Sequence, residues 1–177
     1  METLFTYHSP LGRLTIAGEG EAVTGLWLPE QKYFAATLGP CGEDADLPVF
    51  QAARRWLDRY FAGEDPGPPP LLAPKGGPFR QAVWALLREI PRGQVTTYGA
   101  LARTLAGRMG RPSLSAQAVG GAVGHNPISI LIPCHRVVGA GGNLTGYAGG
   151  LPAKVYLLHL EGADTETFFT PKRGTAL

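Results

Sequence analysis

The sequence predicts an α+β fold: a small N-terminal antiparallel β-sheet with one helix, then a mostly helical C-terminal domain with a winged-type helix-turn-helix. Three observations predict it. β-rich runs separated by glycine turns fill residues 1–30, helical periodicity dominates after residue 78, and a proline-rich segment lies between the two parts. The expected boundaries are 1–70 for the N-terminal domain, 71–77 for a Pro/Gly linker, 78–165 for the second domain and 166–177 for a polar tail.

The N-terminal part alternates strand and turn signals before its helix. The β-rich runs are 4–8, 13–17 and 22–28, with turns at 9–12 and 18–20. A helix is predicted over 48–62, because Pro48 fits its first turn and Gly63 fits the position after its end. Asp46 or Leu47 lies at its N-cap. Apolar residues recur every three or four positions in this helix, so we expect one face to pack into a core.

The second part has the periodicity of successive helices. Apolar positions over 79–90 predict an amphipathic helix that Pro91 ends. Thr96 or Thr97 fits the N-cap of a second helix, and Ser113 fits the N-cap of a third. The remaining predicted elements are helices to about 106 and over 114–124, a strand over 128–132 and a last helix over 152–160.

The charge of the chain is unevenly distributed. The net charge is +2, but residues 1–77 hold 6 Lys/Arg against 10 Asp/Glu, a net of −4. Residues 78–150 hold seven arginines and one acid, a net of +6, and residues 151–177 balance three against three. Guanidinium groups bind phosphate in a bidentate fork, which favours a nucleic-acid partner. A solvated basic surface explains the same pattern equally well.

The composition argues against several classes of protein. No apolar run is long enough to span a membrane, and the N-terminus lacks the pattern of a secretory signal. Two cysteines suggest no disulfide framework, so we expect a cytoplasmic, reduced protein. The two cysteines and four histidines lack the spacing of a tetrahedral site, so we expect neither a metal nor another cofactor.

The stretch Ile132-Pro133-Cys134-His135-Arg136-Val137-Val138-Gly139 places one of the cysteines beside a histidine. A cysteine becomes a nucleophile when a neighbouring base or positive charge holds it as the thiolate. Pro133 lacks an N–H and has a fixed φ, so it ends a regular element and presents the next residue at a bend. On these residues alone, an inert buried cysteine explains the pattern as well as a reactive one.

The predicted third helix has almost no side-chain bulk. Its small residues are Ala116, Ala118, Gly120, Gly121, Ala122 and Gly124. Each glycine costs a helix about 1 kcal/mol relative to alanine, so this composition needs a reason. One reason is close packing against a neighbouring helix. The other is entry into a narrow groove, such as the DNA minor groove, which is about 6 Å wide. The sequence of this helix alone supports the two explanations equally.

Several motifs together resemble the O6-alkylguanine-DNA alkyltransferase family. They are Ile90-Pro91-Arg92-Gly93, Thr97-Tyr98, Asn126-Pro127-Ile128, Pro133-Cys134-His135-Arg136-Val137-Val138, Gly146-Tyr147 and Leu157-Leu158…Glu161-Gly162. The resemblance covers residues 78–162 in order and spacing, and its Pro-Cys-His-Arg core is highly specific. The N-terminal part is similar to the variable domain of the family only in its order of strands and helix.

The resemblance implies a DNA repair protein that flips O6-alkylguanine, chiefly O6-methylguanine, out of duplex DNA. The alkyl group would pass irreversibly to Cys134, one group per chain. The implied catalytic residues are His135 as the base acting through a water, Glu161 as the carboxylate that orients it, Tyr98 as proton donor to the leaving guanine and Asn126 as a hinge. Cys41 is expected to be a bystander.

The resemblance also implies binding residues. Those implied around the substrate are Val137, Val138, Tyr147, Ala148 and Lys154. Those implied at the DNA are Gln117, Ala118, Arg136, Ser113, Thr97 and Gly120. Many family members carry arginine where this chain has Gln117, and that arginine fills the gap that the flipped base leaves. The shorter, uncharged glutamine predicts weaker duplex binding or slower extrusion with the chemistry intact.

Three other functions compete with this one. A non-catalytic lesion-binding relative would lack the cysteine of the motif, which this chain has. A cysteine hydrolase with a Cys-His-Glu triad would regenerate its thiol. A transcription regulator is disfavoured, because the third helix has no bulky residues to read bases. The expected partner is double-stranded DNA with O6-alkylguanine, bound by a monomer, and no membrane partner is expected. Cooperative binding along DNA stays open.

Overall fold

The computed structural model describes residues 1–42, 46–165 and 168. The chain forms two compact units, of which the first holds Met1–Gly76 with Pro127–Leu131, and the second holds Gly77–Asn126 with the described residues from Ile132 onward. The first unit carries a largely antiparallel sheet with one helix and the second is mostly helical, which confirms the predicted α+β class. Within the described ranges, no helix is long and apolar enough to cross a membrane.

The sheet of the first unit has the strand order β3-β2-β1-β4. Its strands are β1 (Glu2–Ser9), β2 (Gly12–Glu19), β3 (Ala22–Trp27) and β4 (Cys41–Gly42). The first three lie where the β-rich runs predict them, whereas β4 is too short to leave a pattern. Helix α1 (Pro48–Phe61) packs its Phe50 against β2 at Gly18, where a Cβ atom would lie 2.7 Å from the ring. Sheet and helix therefore share one apolar core.

Residues 127–131 belong to the first unit, although the chain on either side of them belongs to the second. Ile128 forms a single parallel bridge with Leu26 of β3. The predicted strand over 128–132 is therefore wrong. Ile130 has a φ of +70°, which turns the chain out of the extended conformation directly after that bridge.

The described part of the second unit consists of helices and a two-stranded parallel ladder. Its elements are α2 (Pro78–Leu87), β5 (Thr96–Thr97), α3 (Tyr98–Arg108), α4 (Ala116–Gly124), β6 (Val137–Val138) and α5 (Leu151–Leu160), with 3₁₀ turns at Cys134–Arg136 and Ala140–Gly142. Trp84 Nε1 of α2 donates to the Ala122 carbonyl of α4 at 2.9 Å. Thr96 lies opposite Val137 in the ladder, which places the start of α3 beside the residues that follow Cys134.

The helix caps agree with the sequence at α3 and differ at α4. Thr97 Oγ1 accepts a hydrogen bond from Ala100 N–H at 3.1 Å. Thr97, one of the two predicted caps, is therefore the N-cap of α3. At α4 the cap is Ser115, which accepts from Ala118 N–H at 3.2 Å, and the predicted cap Ser113 lies in the preceding turn. The turn after α3 is longer than the sequence indicates, so α4 begins two residues later than predicted.

A buried carboxylate ties three parts of the first unit together. Glu2 is 2% exposed and accepts hydrogen bonds from Thr24 Oγ1 and Gly39 N–H, each at 2.6 Å. Lys75 Nζ lies 3.0 Å from the same carboxylate. Burial raises the pKa of Glu2, but the hydrogen bonds and the lysine charge outweigh it and hold the pKa below its usual range. Glu2 is therefore ionised at neutral pH.

We expect Glu2→Gln to lower the free energy of unfolding by about 1–3 kcal/mol at pH 7, because an acceptor of buried donors is lost. The folded-state pKa is depressed, so this contribution is present above the unfolded pKa of about 4.3 and disappears as the pH falls through the folded value. Urea titrations at pH 7 and pH 3 measure both effects. The exposed variant Glu21→Gln is the control, and equal losses in both variants would contradict the role of Glu2.

Candidate active site

Cys134 begins the 3₁₀ turn that follows the apolar segment ending in Pro133. Its N–H donates to the Ile132 carbonyl at 2.8 Å, and Arg136 N–H donates to the Pro133 carbonyl at 3.0 Å, so the backbone closes tightly around the cysteine. Pro133 cannot donate a hydrogen bond and ends the preceding segment at this point. Cys134 thus lies on a hydrogen-bonded bend, and the residue is only 5% exposed.

The surroundings of the sulfur favour a protonated thiol in the resting protein. Burial raises the pKa of the Cys134 thiol, while a hydrogen bond from the Asn126 side chain and the charge of Lys154 act in the opposite direction. Asn126 Nδ2 also donates to the Ile132 carbonyl at 2.9 Å, which holds the end of α4 to the segment before the cysteine. Asn126 therefore touches both the sulfur and its backbone support. Nucleophilic use of the thiol requires a group that accepts its proton.

His135 and Glu161 form a buried pair next to the cysteine. His135 Nε2 lies 2.7 Å from Glu161 Oε2, and both side chains are fully buried. Burial raises the pKa of Glu161, but the hydrogen bonds and charges of His135 and Arg136 outweigh it, so the carboxylate is ionised. Burial lowers the pKa of His135 and keeps the imidazole neutral near pH 7, although Glu161 acts against it.

This pair determines which nitrogen of His135 carries the proton. An ionised carboxylate only accepts hydrogen bonds, so Nε2 must be the protonated nitrogen. Nδ1 is then the nitrogen with a lone pair. Nδ1 is buried, and it has no hydrogen-bond partner among the described residues. On the residue next to Cys134 in the chain, the arrangement thus leaves one neutral imidazole nitrogen that can accept a proton.

Arg136 holds the Glu161 carboxylate from the other side. Its Nε donates to Glu161 Oε1 at 2.8 Å, its Nη2 donates to Oε2 at 3.0 Å, and its Nη1 donates to the Ile90 carbonyl at 2.6 Å. The side chain is 11% exposed. The expected DNA contact of Arg136 does not fit this position, because its guanidinium is used within the protein. We reassign Arg136 as a residue that positions Glu161.

Lys154 and Tyr98 complete the surroundings of the sulfur. Lys154 is fully buried, and its Nζ donates to the Thr145 carbonyl at 2.9 Å and lies 3.5 Å from the Gly146 carbonyl. Burial lowers the pKa of Lys154 to about 8, opposed by the Cys134 charge. Burial and the Cys134 charge raise the pKa of Tyr98, whose hydroxyl shares a hydrogen bond with Thr145. Tyr98 thus stays protonated and can act as a donor.

The other expected site residues differ in how far they are buried. Val137 is fully buried in β6, Tyr147 and Ala148 are half-buried in the loop before α5, and the α4 residues Gln117 and Ala118 are exposed. Two assignments need correction. Val138 packs with core residues Leu144, Leu158 and Ala163, and Gly120 is buried on the inner side of α4, so neither is placed for the expected contact. The described residues contain no group of three metal-ligating side chains.

Sequence reasoning missed two groups that the structure brings to the site. The Ile90 carbonyl accepts from Arg136, and Thr145 is bonded to both Lys154 and Tyr98. A backbone carbonyl leaves no signal in a sequence. Thr145 lies in a glycine-rich loop whose conformation is not readable from residue types alone.

Two family models match the chain. Residues 78–163 match 6-O-methylguanine DNA methyltransferase, DNA binding domain, and residues 5–66 match 6-O-methylguanine DNA methyltransferase, ribonuclease-like domain. The methylated-DNA–protein-cysteine methyltransferase of Haemophilus influenzae is 46% identical over 159 residues, which are 89% of this chain and 85% of that protein. The protein of the same name from Mycobacterium bovis is 44% identical over 156 residues, 88% of this chain and 90% of that protein.

Solved structures are similar over almost the whole chain. The crystal structure of Mycobacterium tuberculosis OGT in complex with DNA has a TM-score of 0.77 and 39% identity, and covers 93% of this chain and 98% of that one. The crystal structure of Mycobacterium tuberculosis O6-methylguanine methyltransferase has a TM-score of 0.74 and 42% identity, and covers 92% of this chain and 93% of that one.

We expect Arg136→Gln to destabilise the protein by about 3–5 kcal/mol, because it leaves the buried Glu161 carboxylate without its main cation. Urea unfolding at pH 7 measures this loss. Arg108→Gln is the matched control, since Arg108 makes the same bidentate contact with Glu89 but both side chains are about half exposed. Similar, small losses in both variants would contradict the role assigned to Arg136.

Proposed function

The chain belongs to the 6-O-methylguanine DNA methyltransferase family, and on that premise we propose that it repairs DNA by taking the alkyl group of O6-alkylguanine, chiefly O6-methylguanine, onto Cys134. The observation that carries this proposal is the buried pair of His135 and Glu161, which leaves a neutral imidazole nitrogen without a hydrogen-bond partner on the residue next to Cys134. A family resemblance alone would not distinguish a working site from an inactive one. The residues that the reaction requires are all present here.

The reaction is a displacement at the alkyl carbon. The Cys134 thiol gives its proton to His135 Nδ1 through a water, the sulfur forms a bond to the methyl carbon, and the bond from that carbon to guanine O6 breaks. Tyr98 donates a proton to the leaving guanine and regains one from the imidazolium through solvent. The net change converts thiol and O6-methylguanine into S-methylcysteine and guanine. The charge of Lys154 supports the thiolate while it exists.

The product accounts for a single turnover. A thioether sulfur carries no proton and is a poor leaving group, so the reaction has no reverse path under these conditions. Among the described residues, the other cysteine, Cys41, is exposed in the first unit and hydrogen-bonds to the Gly39 carbonyl. Nothing in the proposed chemistry restores the Cys134 thiol. Each chain would therefore accept one alkyl group.

The DNA contact is proposed for the exposed start of α4. A base inside a duplex is out of reach of a buried thiol, so the damaged nucleotide must rotate out of the stack. Gln117 is exposed at the first turn of α4 between the exposed Ala116 and Ala118, and small side chains on this outer side suit a narrow groove. We further propose that the protein works as a monomer in the cytoplasm, where Cys41 and Cys134 stay reduced.

We expect duplex DNA with one O6-methylguanine to add a single methyl group to the protein, saturating at one per chain. Intact mass measures the gain, and Cys134→Ala should show none because the acceptor sulfur is absent. Retained preference for the damaged duplex without any mass change would instead identify a non-catalytic lesion-binding protein. Continued release of product beyond one equivalent would identify a hydrolase.

We expect the single-turnover rate on saturating duplex to stay near its neutral value as the pH falls through about 6.5, the usual pKa of histidine. Burial lowers the pKa of His135, so the imidazole remains unprotonated there and loses its proton-accepting role only at lower pH. A rate–pH profile by quenched mass measurement tests this. His135→Ala should be slower by about 10²–10⁴-fold. A wild-type decline centred at or above pH 6.5 would contradict the proposed environment.

We expect Gln117→Arg to bind alkylated duplex more tightly or to extrude the base faster, because a longer, charged side chain fills the gap in the stack. Fluorescence anisotropy measures the affinity, and stopped-flow fluorescence of a base analogue measures extrusion. Transfer from the free O6-methylguanine nucleoside should not change, which separates DNA handling from chemistry. Unchanged duplex affinity and extrusion would contradict the role given to Gln117.

A further inference from the structure

A cleft between α3 and the turn before α4 carries two arginines that the proposed chemistry does not use. The cleft encloses about 430 Å³. Its polar side chains are those of Arg103, Arg111 and Ser113, and its apolar wall includes Ala106, Pro112 and Leu114.

The end of α3 determines where Arg111 lies. Gly110 has a φ of +66°, a conformation that glycine adopts without strain. Directly after it, Arg111 N–H donates to the Ala106 carbonyl at 2.9 Å, the long-range bond of a Schellman motif. The backbone of Arg111 is therefore fixed against the last turn of α3. This hydrogen bond holds Arg111 at the edge of the cleft instead of leaving it in a free loop.

Arg103 reaches the same cleft from the helix itself. Helical side chains point back towards the N-terminus, so Arg103 extends over the preceding turn. Its Nη1 lies 3.5 Å from the position that a Cβ atom on Gly99 would occupy, and Gly99 also lines the cleft. The missing side chain at Gly99 leaves the guanidinium next to open space.

Within the described ranges, neither of these arginines has an acidic partner. Arg108 pairs with Glu89 and Arg136 pairs with Glu161, whereas the ion pairs of the described residues include neither Arg103 nor Arg111. Both are exposed. Arg103, Arg111 and Ser113 line the same cleft, and guanidinium groups bind phosphate through charge-assisted hydrogen bonds. The apolar wall suits a ligand with an uncharged side.

We propose that this cleft binds the deoxyribose-phosphate backbone of one DNA strand, with the phosphate on Arg103 and Arg111 and the sugar on the apolar wall. The inference rests on the proposed function. In a helix-turn-helix the first helix crosses the DNA backbone while the second enters a groove, and α3 and α4 stand in that relation along the chain. Ala116 lines the cleft, and the exposed Gln117 follows it directly.

The test compares Arg103→Gln/Arg111→Gln with wild type on one duplex, using anisotropy from 50 to 200 mM salt. Each lost phosphate contact lowers the slope of log K against log salt by about 0.9, so we expect a drop of about 1 to 2. Arg88→Gln, an exposed arginine outside the cleft, is the matched control. Methyl transfer from the free O6-methylguanine nucleoside, which has no phosphate, should equal that of wild type.

An unchanged salt slope, or a drop equal to that of Arg88→Gln, overturns the proposal. Loss of transfer from the nucleoside also overturns it, because the arginines would then act on the fold or the chemistry. Protection of wild type against heat by inorganic phosphate, without any change in duplex slope in the double variant, would assign the cleft to free phosphate instead. If wild type gains no methyl group from damaged duplex, the proposed function is refuted. The slopes of log K against log salt still decide whether the cleft binds DNA.

Discussion

The Glu161 carboxylate is the group on which the active site depends. It lies at the C-cap of α5 and accepts hydrogen bonds from two consecutive residues of the 3₁₀ turn, His135 and Arg136. Arg136 extends the connection to the Ile90 carbonyl, so one carboxylate joins the end of α5, the cysteine turn and the segment after α2. A buried carboxylate is costly unless it is paired, and here both oxygens are satisfied by charge-assisted or buried donors. The same interaction therefore joins three segments of the second unit and determines which nitrogen of His135 carries the proton.

Burial gives each neighbouring group a defined protonation state. Burial raises the pKa of the Cys134 thiol and lowers that of His135, so the resting site holds a neutral thiol and a neutral imidazole. Separating charge between them is supported by Glu161 on the imidazole side and by Lys154 on the sulfur side. The protein thus avoids storing an unpaired thiolate in an apolar interior. In the proposed reaction, the thiolate forms only when the alkyl carbon is in place.

Residue patterns predicted much of the fold, because the strands and helices of both units have clear periodicity and turn signals. The failures have physical reasons. The apolar run over 128–132 has the composition of a strand, but the left-handed conformation of Ile130 ends it after one bridge. Ser113 and Ser115 are equivalent as caps in sequence, and residue type does not record that the turn after α3 continues to Ser115. The two-residue β4 is too short to be seen.

Site residues could be predicted from the sequence only where the residue type itself indicates the chemistry. The adjacent Cys134 and His135 are visible in the sequence, and the resemblance to a family supplied Glu161, which lies 26 positions after His135. The resemblance also implied a DNA contact for Arg136, but the structure buries its side chain. Its true partners are a distant carboxylate and a backbone carbonyl, which no local pattern records.

The most direct test of the central claim is the tautomer of His135 at pH 7, read from long-range ¹H–¹⁵N correlations of the imidazole nitrogens. Variants that remove His8, His125 or His159 one at a time assign the signals. We expect a neutral ring with the proton on Nε2 and a bare Nδ1, because the ionised Glu161 can only accept. A proton on Nδ1 alone, or on both nitrogens, would contradict the account, since Nδ1 could then not accept the proton of Cys134.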